Sequence, residues 1–442
     1  MLKKSTVILM VVFMVLGLFA GCQAPAAPEA TTAPATAGEA TAADTAAPAA
    51  QEPITIDFMN FSANEGGLLT LGLMKDLFEK DNPNIKINIE TFGYDTYATQ
   101  LQTRIGGGDA PDCFELGLDA FPSYVDQKAV LPLDDLTNAS TTDLSVLTEK
   151  SVQAFSLGGV KYGMPYSYST VVLIYNKDLF DQAGVAYPTA DWTWADADAA
   201  ALKIKALGDD YYGLIQPIST YEFFKVVKQY NGGLLNDDNT AFTVNRAENV
   251  EALQRLVDNV RVTNICPSTE QRGSLDEWGV FKLGKTGMIV TGIWAFPSFT
   301  TDCAFNWDIA VEPGAATKAT HYFANGLAIS ADSKNAEAAY KWIEFLATSE
   351  QVAQLRVQLG WELPCATYQS AMDQYAKLTP PANRQAVFDS LDYVVPVPQI
   401  AQFSQMADIL GAELEAAANG TKTPQQALDD AQAALEAAIT LG

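Results

Sequence analysis

Between residues 53 and 90 the spacing of apolar side chains changes period twice, and this restricts the fold more than any single motif does. Ile54, Ile56 and Phe58 alternate with Thr55 and Asp57, the period of a half-buried strand that runs to about Phe61. Gly66 and Gly67 open a stretch where Leu69, Leu73 and Leu77, and beside them Leu71, Met74 and Phe78, recur at helical spacing to about Lys80. After the turn Asp81-Asn82-Pro83-Asn84, Ile85, Ile87 and Ile89 alternate with Lys86, Asn88 and Glu90. Strand, helix and strand in about forty residues make a βαβ unit, whose strands lie parallel in one sheet.

The alternation continues down the chain. Strand-like runs fall at 171–175, 211–215, 288–291, 307–311 and 326–330, and helix-like runs at 194–207, 250–262 and 336–347. The last helix is expected to start with Thr423 as N-cap, Pro424 in the first helical position and Gln426 closing a capping box. Its buried face is Ala427, Leu428, Ala431, Leu435 and Ile439. These signals describe an α/β protein with helical additions.

The chain begins differently. Lys3 and Lys4 precede an uncharged apolar run from Val7 to Phe19, about 13 residues against the roughly 20 of a membrane-spanning helix. Ala20-Gly21-Cys22 follows, so residues 1–21 read as a secretory leader, and the box before Cys22 resembles a bacterial lipoprotein cleavage site. Cys22 would carry the lipid. An ordinary cleaved leader and an uncleaved anchor are the alternatives. Residues 23–52 hold no Leu, Ile, Val, Met or aromatic side chain. Such a segment cannot bury a core and is expected to be a disordered tether.

The body from Pro53 to Gly442 is long enough for one large or two medium domains. The formal net charge is −26, and loss of Lys3 and Lys4 with a leader adds two negative charges. Nucleic acid and anionic lipid headgroups both call for basic patches, so this balance argues against them. Cys113, Cys266, Cys303 and Cys365 allow three disulfide pairings, among which the sequence does not choose. His321 is the sole histidine and no CxxC occurs, so neither a structural metal site nor a cofactor is expected.

Five stretches, in order, resemble the extracellular solute-binding proteins of ABC sugar importers, the maltose-binding-protein-like lipoproteins. They are Gly108-Asp109-Ala110-Pro111-Asp112; Tyr175-Asn176-Lys177-Asp178-Leu179-Phe180 with Thr193-Trp194-Ala195-Asp196; Gly284-Lys285-Thr286-Gly287-Met288 running to Gly292-Ile293-Trp294-Ala295; Ala338-Ala339-Tyr340-Lys341-Trp342; and Ala427-Leu428-Asp429-Asp430-Ala431-Gln432. The resemblance implies a periplasmic-binding-protein-like type II fold: two α/β lobes, a ligand cleft between them, and C-terminal helices. It places residues 53–165 and 313–349 in the first lobe and 166–312 and 350–442 in the second. It implies a monomer that binds a sugar or oligosaccharide and serves the permease subunits of an ABC transporter, anchored at the cell membrane on its extracytoplasmic side.

Trp294 follows the strand-like run 288–291 and matches the tryptophan that stacks on sugar rings in the family. Asp119 matches an acidic ligand contact, although Leu116 and Ala120 replace its aromatic and basic neighbours. Tyr166 and Ser169 lie where the chain would cross between lobes, Ser169 in the place of a glutamate. Asn64, Glu65, Tyr94, Tyr221 and Glu222 fall in loops after strands, and Trp361 offers a second stacking surface; for each of these a packing role is equally available. Trp194, Trp307 and Trp342 sit on regular segments and are read as core.

Gly279 to Thr286 fits the phosphate-loop formula GxxxxGKT, which works only between a strand and a helix. Here a strand-like run follows it, which argues against a nucleotide site. The enzyme alternative is a secreted carbohydrate hydrolase with paired carboxylates. A Ser-His-Asp mechanism would rest on His321 alone, and no GxSxG occurs.

Overall fold

The computed structural model describes residues 53–441, apart from 359 and 399. The leader, Cys22 and the tether lie outside the described residues. Among those described, no helix is long and apolar enough to cross a membrane.

The strands that position the site are β1 (Ile54–Asn60), β2 (Ile85–Thr91), β3 (Cys113–Gly117), β4 (Met164–Asn176), β5 (Tyr212–Ile215), β6 (Thr286–Gly292), β7 (Trp307–Ala310) and β8 (Thr320–Ile329). They follow one another across a continuous sheet in the order β2-β1-β3-β8-β4-β6-β5, with β7 on β4. β1 is parallel to β2 and β3, and β5 is parallel to β6. The two central strands run against their neighbours: β8 is antiparallel to β3 and β4, and β4 to β6 and β7.

Helices cover the sheet. They include α1 (Leu68–Asp81), α2 (Trp194–Lys205), α3 (Thr220–Gln229), α4 (Ala247–Arg261), α5 (Ala336–Thr348), α6 (Glu350–Gln358), α7 (Phe403–Ala418) and α8 (Pro424–Ala438). Only one of the two leucine-rich stripes of α1 is core. Leu71, Met74 and Phe78 are buried, and Phe78 meets Trp342 of α5 edge-on at 5.1 Å, whereas Leu69 is 71% exposed. Fourteen residues of helix cannot bury two faces against one sheet surface, and the stripe that meets α5 wins. Trp194, Trp307 and Trp342 are all buried.

The architecture is mixed α/β with two lobes. One core joins β1, β2 and α1 to α5; a second gathers β4, β5 and β6 with α2, a third gathers the other faces of β4 and β6 with β7, and a fourth packs α3 and α4 with the C-terminal helices. β4 and β8 serve both sides, which is why each is longer than its apolar signal. Residues 164–170 of β4 pair with β8, while 171–176 pair with β6 and β7. The extra length carries Ser167, Ser169 and Thr170 on β4 and His321 and Asn325 on β8, polar residues that are nevertheless buried. Around the expected crossing at 349 the sides are not cleanly divided: Val352 and Trp361 pack in the first core, Ala353 and Val357 in a core of the second lobe.

α8 begins as its sequence dictates. Thr423 Oγ1 accepts the Gln426 amide at 3.2 Å, Gln426 Oε1 accepts the Thr423 amide at 3.1 Å, and Pro424 occupies the first turn. Its apolar face packs on α7 and α4. All four described cysteines are unpaired thiols.

Candidate functional site

The residues that follow β3, β5 and β6 meet around one cavity of about 490 Å³. Asp119 comes from the first, Ser219 and Tyr221 from the second, and Trp294 from the third. In open α/β sheets ligands sit outside the carboxyl ends of strands, and this cavity obeys that rule. Its volume lies within the usual range for small-molecule sites, roughly 300–1,000 Å³.

Two glycines let the chain fold back over the strand ends. A Cβ on Gly292 would lie 1.8 Å from the Trp294 ring, and one on Gly117 would lie 2.5 Å from Asp119 Oδ1. Each absent side chain leaves room for the residue two places on to turn into the cavity. The indole of Trp294 is half-buried and meets Phe323 edge-on at 5.0 Å. Asp119 Oδ2 accepts a hydrogen bond from the Tyr221 hydroxyl at 2.9 Å, joining the β3 side to helix α3 across the cleft. Burial raises the Asp119 pKa, and the Tyr221 hydrogen bond opposes that rise.

A second polar wall is built on Glu362. Its Oε2 accepts from Ser167 Oγ at 2.7 Å, Asn325 Nδ2 at 3.1 Å and Arg356 Nη2 at 3.3 Å. The Arg356 guanidinium is held between the rings of Tyr166, at 4.2 Å, and Trp361, at 4.1 Å. Trp361 Nε1 donates to the Ser62 carbonyl at 3.1 Å. Glu362 and Asn325 line the cavity; Tyr166, Trp361 and Arg356 brace them from behind.

Trp294, Asp119, Tyr221 and Tyr94 therefore line the cavity, and the other sequence candidates are placed elsewhere. Tyr166 and Trp361 are core side chains around Arg356. Ser169 is fully buried in β4 opposite Phe323. Glu222 points inward from α3, taking a hydrogen bond from Gln216 Nε2 at 2.8 Å and pairing with Lys225 Nζ at 3.0 Å. Burial and the neighbouring Glu312 raise its pKa, and Lys225 opposes them. Asn64 is exposed on the turn Ser62–Glu65 and does not line the cavity; the side chain of Glu65 lies outside the described structure.

Sequence reasoning missed Phe61, Tyr322, Phe323, Asn325 and Glu362, all in the cavity wall. Three of them sit on β8, where alternation alone would have assigned Phe323 to the core. His321 lies beside them, buried against Phe323 and Phe224; burial and the Lys225 cation hold its pKa well below the ordinary value, so it is neutral. The phosphate-loop formula fails structurally. Glu277–Lys282 is a helix and Thr286 opens β6, the reverse of the order that points a helix N-terminus at a phosphate.

A sheet with two crossing strands, two lobes and an aromatic cavity at strand ends defines a binding-protein architecture of the type II periplasmic class. The family model of bacterial extracellular solute-binding proteins matches residues 33–353, and the chain belongs to that family. It is similar to an ABC substrate-binding protein of Listeria monocytogenes solved in complex with cycloalternan: 40% identical, with 88% of this chain and 100% of that one covered and a TM-score of 0.86. The galactooligosaccharide-binding protein of Bacillus subtilis (strain 168) is 24% identical over 366 residues, covering 80% of this chain and 83% of the relative. The sn-glycerol-3-phosphate-binding periplasmic protein UgpB of Escherichia coli (strain K12) is 24% identical over 411 residues, covering 86% and 92%. The chain is thus a solute-binding protein of a family described as extracellular.

Proposed function

We propose that this protein captures a neutral sugar or oligosaccharide in the cavity beside Trp294 and delivers it to an ABC permease by closing its lobes on it. The carrying observation is the composition of the cavity wall. Phe61, Tyr94, Trp294, Tyr322 and Phe323 offer aromatic faces; Asp119, Glu362 and Asn325 offer polar groups; and no lysine or arginine is among the described residues lining it. Aromatic faces cover the C–H face of a sugar while carboxylates and amides take its hydroxyls, each charged hydrogen bond adding roughly 1.5–3 kcal/mol. A phosphate ester, as bound by UgpB, would face the carboxylates of Asp119, Glu277 and Glu362, with no lysine or arginine among the described residues lining the cavity.

Residues 53–165 and 313–349 form the first lobe in this reading, and 166–312 and 350–442 the second, with the segment after 349 shared. Ligand that touches both lobes favours the closed state through contacts the open state lacks. A lipid on Cys22 and the tether to residue 52 would hold a monomeric receptor near its permease at the membrane. The protein has no catalytic role in this scheme.

Calorimetry with neutral mono- and oligosaccharides, polyols and glycerol 3-phosphate tests the reading. Neutral sugars bind, and Trp294→Ala weakens them at least tenfold, about 1.4 kcal/mol, with unchanged thermal stability. Preference for the phosphate ester, or a Trp294→Ala variant with parental affinity, would overturn it. Release of shorter sugars from labelled oligosaccharides would point instead to the hydrolase.

A further inference from the structure

A second cavity of about 550 Å³ adjoins the first, and Ser219, Tyr221 and Glu277 line both. It is shaped by the loop that follows β5, by the turn around Ser268 and Thr269, and by helix α7 through Ala407, Gly411 and Glu415. The parallel strands β5 and β6 end side by side: Trp294 after β6 lines the first cavity, and of the residues after β5, Gln216 and Pro217 line the second while Ser219 and Tyr221 line both.

The two walls differ in chemistry. Aromatic faces dominate the first, whereas Tyr221 is the aromatic residue among those lining the second. The second offers instead Gln216, Ser268, Thr269, Arg272, Glu415 and Asn419. Arg272 is paired with Glu277 and donates from Nη2 to Thr269 Oγ1 at 3.3 Å. Its Nε is buried and has no partner among the described residues. A buried guanidinium donor left unpaired is unfavourable, and a hydroxyl acceptor in the chamber would relieve that.

We infer that the ligand is an oligosaccharide, with one ring against Trp294 and the following ring or rings carried past Ser219, Tyr221 and Glu277 into this second chamber, where hydroxyls rather than ring faces are read. The inference rests on the sugar reading above and adds the length of the ligand to it. The Arg272–Glu277 pair supplies donor and acceptor together, so the second chamber also suits an uncharged chain.

Gly411 provides the test. A Cβ there would meet Thr220 Oγ1 at 3.6 Å, an ordinary contact, so this position on the chamber wall accepts a side chain, and Gly411→Leu is designed to narrow the chamber. Removing a glycine from the interior of α7 also favours the helix. The full chain is titrated by calorimetry with glucose, galactose and mannose and with their di-, tri- and tetrasaccharides. Affinity rises at least tenfold from the shortest binding member to a longer one. Gly411→Leu abolishes that rise, leaving the shortest member within twofold of the parent and the melting temperature no lower. Arg272→Met reduces the rise in the same direction. Equal affinity at every length, or a rise that survives Gly411→Leu, overturns the second chamber while leaving sugar capture standing. If no sugar of any length binds, both readings fall.

Discussion

Glu115 shows how far a single side chain can be pushed to shape this cavity. One of its oxygens accepts the backbone amides of Phe61, at 3.2 Å, and Ser62, at 3.1 Å, and so holds the turn that forms part of the cavity wall. The other oxygen is buried with no partner among the described residues. Burial first, and then the nearby Glu362 carboxylate, raise its pKa to about 7 from 4.5. With the folded pKa above the unfolded one, its stabilising contribution is complete below pH 4.5 and is lost as pH rises through 7, a loss of about 3 kcal/mol. Glu115→Gln keeps an acceptor but cannot ionise. Urea midpoints at pH 5 and pH 8 should fall less with pH in the variant than in the parent; equal slopes would refute the assignment. This constraint was not legible in the sequence, because Glu115 looks like any polar residue in an alternating strand. Asp119 and Trp294 could be placed near the cavity from sequence because each follows a strand, and both line it. Tyr166 and Trp361 were misplaced because their partner Arg356 is visible only in three dimensions: two aromatic residues nearly 200 positions apart clasp one guanidinium.

Regular elements with a single buried face were the most readable. β1, β2 and α8 begin and end close to where periodicity and capping put them, since local signals and tertiary burial agree there. α8 carries the sharpest expectation. Thr423→Ala removes both hydrogen bonds made through Oγ1 and should lower global stability by about 1 kcal/mol, read from the denaturant midpoint, with sugar affinity unchanged. A midpoint equal to the parent's would show that packing on α7 alone sets this terminus. β4 and β8 were the least readable elements. A strand that pairs on both edges and joins two lobes can bury Ser167 and Asn325 because Glu362 accepts a hydrogen bond from each and Asn325 also donates to Ser167. Period-2 hydrophobicity has no means of announcing that.

At the scale of the molecule, closure has a visible link: the hydrogen bond from Tyr221 to Asp119 joins α3 to the loop after β3. A bound sugar would add contacts on both sides of it. Small-angle scattering should therefore give a smaller radius of gyration with saturating sugar than without, and an unchanged radius would rule out lobe closure as the capture step. The sheet order has another effect, on how the chain is made. β8 lies between β3 and β4, with Asn325 opposite Gly117, so the inner edge of β3 waits roughly 200 residues for its partner. At about 5–20 residues per second of synthesis, that is a delay of about 10–40 s. Throughout that time the first lobe cannot close its own sheet. A chain that sets so late remains a thread that can be passed through a membrane before it becomes a solid body, which suits a protein whose place of work is on the far side.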